Sequence, residues 1–238
     1  MANPAPGKAL AFEGLTYVDV LPGAPEQAQA DACRIHLALF GHGYAHATAD
    51  ITRLWQEGSR QPDIHEHQWL LSYRGEPCGE FAFQVNLRRG IVSRLFLGLL
   101  PEFRTRLAGD WITAVLDACA AVAAAEASDA GRPILAMMSE VKPRHVRGWR
   151  HLGHVAPAIG YREPLHGNHW REFGPLEYQP MAANFLLLEE GRTAGMPAVA
   201  AAGVQAFLLD YYAVPADDSV LAEILGACSR LDEAESAT

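Results

Sequence analysis

Residues 15–21, LTYVDVL, alternate apolar with polar side chains and hold Thr, Tyr and Val, which predicts a first strand. After PGAP, residues 26–40 place Ala28, Ala32, Ile35 and Leu39 at helical spacing. GHGYAHATAD interrupts that pattern, and Thr48 or Asp50 can cap a second short helix running through Trp55. HQWLLSY (67–73) and CGEFAFQVNL (78–87) flank Arg74-Gly75-Glu76-Pro77, a hairpin signal, and Arg88-Arg89-Gly90 turns the chain into IVSRLFLGLL (91–100). Residues 110–127 form a helical pattern whose Ala/Val/Leu side is wide enough to be buried against a sheet. ILAMMSE (134–140) predicts a central strand, 142–152 a helix ending at Gly153, and ANFLLLE (183–189) a last strand. Two helices follow, over 197–212 and 217–231. The stretch 154–180, rich in Gly, Pro, His and aromatic residues, carries no period that assigns it.

The resulting order is β-α-α-β-β-β-α-β-α-β with a helical tail. It mixes antiparallel hairpins with a βα crossover, which excludes a fully parallel doubly wound sheet and predicts an α/β fold on a mixed, mostly antiparallel sheet flanked by helices. Residues 1–12 are expected to be a flexible tail, 13–190 the main domain and 191–238 a C-terminal helical extension.

Charge narrows the partners. A net charge of -9 lacks the basic stripe of a nucleic-acid protein, so no nucleic-acid partner is expected. Cys33, Cys78, Cys119 and Cys228 are too dispersed for a zinc knuckle or a redox pair and suit buried, reduced thiols. MANPAPGKALAF has no export h-region, which points to the cytoplasm. The apolar run MPAVAAAGVQAFLL (196–209) is too short for a span of roughly 20 residues, so no membrane partner is expected.

The chemistry concentrates in LFLGLLPEFRTRLAGDW, residues 95–111. A strand ends there, a loop with Arg104 and Arg106 follows, and a helix begins, exposing unpaired N–H groups and a partial positive charge to a phosphate. The strand edge at Leu97 and Leu99 can pair with an extended amide-bearing ligand. Amides at one end and a diphosphate at the other describe coenzyme A. The bland alternative is a surface turn with solvated arginines.

The element order and the phrase LLPEFRTRLAG resemble the GNAT acyltransferase superfamily, whose strand ends in Val-x-Pro-Glu-Tyr before an Arg/Gln-x-x-Gly-x-Gly/Ala loop. Leu99 stands for the Val, Pro101 and Glu102 match, Phe103 stands for the Tyr, Arg104 matches, and Gly109 fills the last glycine position. Leu107 stands where the first glycine is expected. GWRHLGH (148–154) is similar to the family's Leu-Tyr-Glu-Lys-Leu-Gly-Phe, with Trp149 at the tyrosine that often protonates the departing thiolate and His154 at the phenylalanine. The resemblance implies acetyl-CoA as co-substrate, held by backbone groups of Leu97, Leu99, Arg104, Arg106, Leu107, Ala108, Gly109 and Asp110. It also implies direct transfer to a primary amine of a small molecule or peptide.

Such a transfer needs a proton acceptor, for which Glu80 and Glu140 are candidates, and an acid in place of Trp149, for which Tyr161 or His154 serves. Glu80 alternates with Phe81 and Phe83, which predicts an exposed or ligand-facing side chain. No Gly-x-Ser-x-Gly elbow or Cys-His nucleophile pair is present, as direct transfer requires. His65 with His67, and His166 with His169, are the pairs a metal reading would use; neither has two further ligands nearby, and no metal is expected. Phe207, Leu208, Leu209, Tyr211 and Tyr212 in the tail offer an interface, a lid or simple packing. Two alternatives stay open: a GNAT-shaped coenzyme-binding or regulatory module without turnover, and an unrelated α+β interaction protein whose tail forms a homodimer.

Overall fold

The computed structural model describes residues 7–107 and 109–231. The expected site residue Ala108 lies outside the described residues, as do residues 1–6 of the expected tail. The elements are β1 (Lys8–Ala9), β2 (Leu15–Asp19), α1 (Glu26–Tyr44), α2 (Ala47–Glu57), β3 (Ile64–Tyr73), β4 (Glu76–Asn86) and β5 (Ile91–Leu99). Then come α3 (Pro101–Arg104), α4 (Trp111–Ala130), β6 (Ala136–Val141), α5 (Val146–Arg150), β7 (Arg162–Pro164), β8 (Tyr178–Pro180) and β9 (Ala182–Leu187). The chain ends with α6 (Glu189–Ala194), α7 (Met196–Gln205), a π-helix over Ala206–Tyr211 and α8 (Ser219–Cys228). Seven strands form one sheet in the order β1-β2-β3-β4-β5-β6-β9, and β7 and β8 form a separate pair.

Contacts divide the chain into two units, Met1–Gln84 with Leu95–Ala125 and Val85–Arg94 with Glu126–Thr238. In the first, β2 is antiparallel to β3, from Leu15↔Tyr73 to Asp19↔Trp69. The β3–β4 hairpin turns on Arg74 and Gly75 alone, with φ of 52° and 85°. Two consecutive positive φ values match the twist of the flanking strands, and glycine adopts the second without steric cost. Lys8 and Ala9, expected in the flexible tail, pair with Tyr17 and Thr16. Trp69, Phe81, Phe83, Leu15, Leu71 and Ile35 are all shut from solvent. Helix α1 buries Ala28, Ala32 and Ile35 as its periodicity predicts, adds His36, and runs through Gly41 and Gly43 where a break was expected. Helix α4 has the length and mean hydropathy of a membrane span, 1.3 over an 18-residue window. Its Ala114, Val115, Cys119 and Ala123 are buried in the protein, which accounts for that hydropathy as a core stripe.

In the second unit, β5 runs parallel to β6 over four pairs, Ile91↔Ala136 to Arg94↔Ser139, and continues past the last of them to Leu99. Strand β6 is antiparallel to β9, with Glu140 opposite Ala183. The helices after residue 190 belong to this unit. The side chain of Asp210 on the π-helix accepts from Asn86 Nδ2 at 2.8 Å and Arg89 Nε at 3.0 Å, fixing the tail to the β4–β5 turn.

Candidate functional site

Pro101 opens the turn after β5, where a missing N–H costs nothing at a helix start. Phe103 N–H donates to Leu100 O (3.0 Å) and Leu107 N–H to Phe103 O (2.9 Å), so Leu107 stands in helical hydrogen bonding. Its side chain is buried, turned away from the outer face of the turn. Gly109 holds φ +111°, a conformation that a Cβ would strain, and this is the position the motif keeps as glycine. Helix α4 then starts, its first intrahelical bond running from Ala114 N to Asp110 O (3.1 Å). Helix geometry leaves the N–H groups of Trp111, Ile112 and Thr113 without an acceptor in their own helix.

The arginines have local partners. Arg104 Nε donates to Leu99 O (3.1 Å), the carbonyl expected to meet pantetheine. Arg106 pairs with Glu76 at 3.0 Å and lies over the Phe103 ring at 4.6 Å. Leu97 on β5 is half-buried and Asp110 exposed. The Leu107 N–H is thus spent within the turn, while the first turn of α4 has N–H groups without a helical acceptor.

Glu80 lies in the same unit and corrects the exposure expected of it: it is completely buried. Strand β4 is covered on both faces, so alternation along it does not separate inside from outside. Glu80 Oε1 meets His36 Nδ1 at 2.8 Å and Oε2 accepts from Gln68 Nε2 at 2.9 Å. His36 Nε2 faces the Tyr44 carbonyl at 2.9 Å, and a carbonyl only accepts, so Nε2 carries its hydrogen and Nδ1 and Glu80 hold a proton between them. Burial pulls the His36 pKa down, but the bond to Glu80, its charge and the Tyr44 carbonyl outweigh this and leave it raised. Phe96 meets the ring edge-on at 4.9 Å. Nothing in the sequence paired His36 with Glu80.

In the other unit, Glu140 at the end of β6 accepts from Tyr161 Oη at 2.5 Å and from Tyr212 Oη on its second oxygen. Glu163 of β7 is hydrogen-bonded to it, and Gln179 Nε2 donates to Glu163 Oε1 at 2.6 Å. Burial, then the neighbouring Glu163 charge, push the Glu140 pKa well above the carboxylate range. Burial and the charge of Glu140 hold the protons on Tyr161 and Tyr212. Tyr212 and Glu163 are additions that no local sequence signal offered. His154 is buried beside Arg94, with Nδ1 receiving Asn184 Nδ2 at 2.9 Å, and desolvation followed by the Arg94 charge lowers its pKa to about 3. It is neutral near pH 7, which leaves Tyr161 as the better-placed acid of the two candidates. Trp149 packs against His154 at 4.9 Å between centroids and under the Arg94 guanidinium.

The metal pairs are engaged otherwise. His67 Nδ1 lies 2.6 Å from Asp19 and its ring stacks on Phe83, while His169 meets Glu172 at 2.7 Å. Among the described residues no group of three or more His, Cys, Asp or Glu could hold a metal ion. Cys78, Cys119 and Cys228 are buried free thiols, and burial pushes Cys78 up to about 12.

Comparison with solved structures separates fold from function. The spermidine N-acetyltransferase SpeG chimera from Vibrio cholerae and hSSAT is 11% identical, with a TM-score of 0.50 over 76% of this chain and 99% of that one. The chain has the GNAT fold. A GNAT-family acetyltransferase from Bacteroides thetaiotaomicron (12% identity, TM-score 0.49, 75% and 92% covered) is also similar. So is FeeM, an N-acyl amino acid synthase from uncultured soil microbes (16% identity, TM-score 0.46, 77% and 95% covered). No family model matches the sequence. No curated protein matches it either. At these identities the GNAT likeness extends to the fold, and the turn after β5 must carry any argument about ligand.

Proposed function

We propose that the protein transfers an acyl group, in the first place acetyl, from a coenzyme A thioester to a primary amine of a small molecule or peptide. The observation that carries this reading is the turn from Pro101 to Asp110: Gly109 keeps its left-handed conformation, the Leu107 side chain is buried, and α4 opens directly after. In this reading the amides of Gly109 and Asp110, continued by Trp111–Thr113, hold the diphosphate, Arg106 adds charge, and backbone groups of Leu97 and Leu99 meet pantetheine. Arg104 leaves Leu99 O to make room for it.

The amine must be neutral to attack. Glu80, with His36 behind it, is the proton acceptor within the unit that carries the turn; the amine nitrogen then adds to the thioester carbonyl and the C–S bond breaks, releasing a thiolate that takes a proton. Glu140 with Tyr161 provides the second proposed acid–base pair. The protein is proposed to act in the cytoplasm, without a metal, the homodimer being a further proposal.

Incubation with acetyl-CoA and a panel of polyamines, amino acids and peptides, followed by free-thiol release and product mass, tests the activity. Release with at least one amine, reduced about 10²-fold or more in Glu80→Gln, supports it. The structure also favours a second reading, a coenzyme-binding module without turnover, because both Glu80 oxygens are already engaged and a tryptophan replaces the expected tyrosine. Coenzyme binding with no thiol release from any amine selects that reading.

A further inference from the structure

The segment Lys142–His151 carries Lys142, Arg144, His145, Arg147, Arg150 and His151, and no acidic residue occurs between Glu140 and Glu163. All six basic side chains are exposed. Among the described residues, Arg144 Nε donates to His145 Nε2 at 3.1 Å, and no ion pair includes any of the six. Several surface arginines elsewhere are paired at short range, as Arg34 is with Asp31, Arg106 with Glu76 and Arg162 with Glu223. Four cations, Lys142, Arg144, Arg147 and Arg150, crowd onto nine residues and repel one another, so this segment is held together against its own charge.

Periodicity organises the patch. Arg144 sits in a 3₁₀ turn over Pro143–His145 and Arg147 and Arg150 in α5, three residues apart each time. With three residues per 3₁₀ turn and 3.6 per α turn, the three arginine positions form a row that advances about 10 Å along the axis. The row rests on a fixed base. Trp149, between Arg147 and Arg150, packs on His154 and Arg94, and Val155 exchanges two backbone hydrogen bonds with Phe185 of β9 at 2.7 and 2.8 Å. Each guanidinium fork can meet a carboxylate through two parallel hydrogen bonds.

We propose that this row is a docking surface for an acidic helical segment of another protein, which places carboxylates at three- and four-residue spacing against Arg144, Arg147 and Arg150. Charge selects a protein over the other polyanions. Outside the patch the chain carries 15 Lys and Arg against 28 Asp and Glu, a negative surround that repels a long uniform polyanion or a sheet of anionic lipid. A helix with acids on one face ends its charge within the roughly 10 Å of the row and clears that surround. Charge steering of this kind raises the on-rate and fixes register more than it adds affinity.

The test uses the full chain and a labelled, Glu-rich helical peptide, with a single-stranded oligonucleotide, a DNA duplex and phosphatidylserine-containing vesicles as competing probes. Fluorescence anisotropy is expected to detect peptide binding that weakens about tenfold or more between about 50 and about 200 mM salt. The variant R144E/R147E/R150E is expected to abolish it, while R144K/R147K/R150K retains part of it and R192E/R230E, a reversal of two exposed arginines elsewhere, leaves it unchanged. Unaltered thermal melting of the three variants keeps the comparison on the surface. Equal binding by wild type and R144E/R147E/R150E overturns the proposal, as does a preference for oligonucleotide, duplex or vesicle over the peptide. Because the readout is binding alone, neither outcome depends on acyl transfer.

Discussion

Glu140 and His154 pull stability in opposite directions with pH. Glu140 has a raised pKa in the folded state, so the native protein holds the extra proton; its contribution is complete below the ordinary carboxylate value of 4.5 and is lost as pH rises through the folded value. His154 has a lowered pKa, from 6.5 to about 3, so its contribution is complete above 6.5 and is lost as pH falls toward 3. Denaturant unfolding across pH is expected to show a falling limb on the alkaline side that disappears in Glu140→Gln, while the acid limb remains. A limb unchanged in Glu140→Gln would contradict the buried carboxyl described above. Leu107 makes a second residue-scale case. It replaces a glycine of the motif yet is almost fully buried, so Leu107→Ala is expected to cost about 2–4 kcal/mol in urea unfolding, against under about 0.5 kcal/mol for an exposed leucine.

At the scale of elements, the tail is fixed to its unit by polar groups as well as by packing. Asp210 is held by Asn86 and Arg89, with Arg88 at 3.6 Å, and Tyr212 reaches Glu140. A π-turn adds a residue to the helix, and such turns re-aim side chains; here they carry Asp210 and the approach to Tyr212. Asp210→Ala is expected to lower stability by about 1.5–3 kcal/mol, because it leaves charged donors without their acceptor, and to increase amide exchange first over α7. Equal exchange in α7 before and after would mean that packing alone holds the tail. What the sequence made legible follows the same scale. The β3–β4 hairpin, β5, α4 and the following strand were readable because a turn dipeptide or a period announces each within its own length. The β7–β8 pair was not: each strand is three residues long, and 13 residues separate Pro164 from Tyr178, so pairing rather than pattern defines it. The extension of α1 past Gly41 shows tertiary contact overriding a local break.

Over the whole molecule, the mixed α/β fold was legible from the order of elements, and the strand, turn and helix start around Pro101–Trp111 from the local pattern. The partners of the acidic residues were not, because His36 lies 44 positions from Glu80 and Tyr212 lies 72 positions from Glu140, and no local signal links such distant residues. This is why Glu80 looked exposed from strand alternation and is buried in the fold. The account rests on the start of α4 gripping a diphosphate carrier. Isothermal titration calorimetry with acetyl-CoA on the wild type and on Gly109→Ala tests that grip most directly. Binding in the roughly micromolar to millimolar range usual for such substrates, weakened about tenfold or more in Gly109→Ala with the fold retained, is the expected result. No heat at millimolar acetyl-CoA, or equal affinity in both proteins, would contradict it.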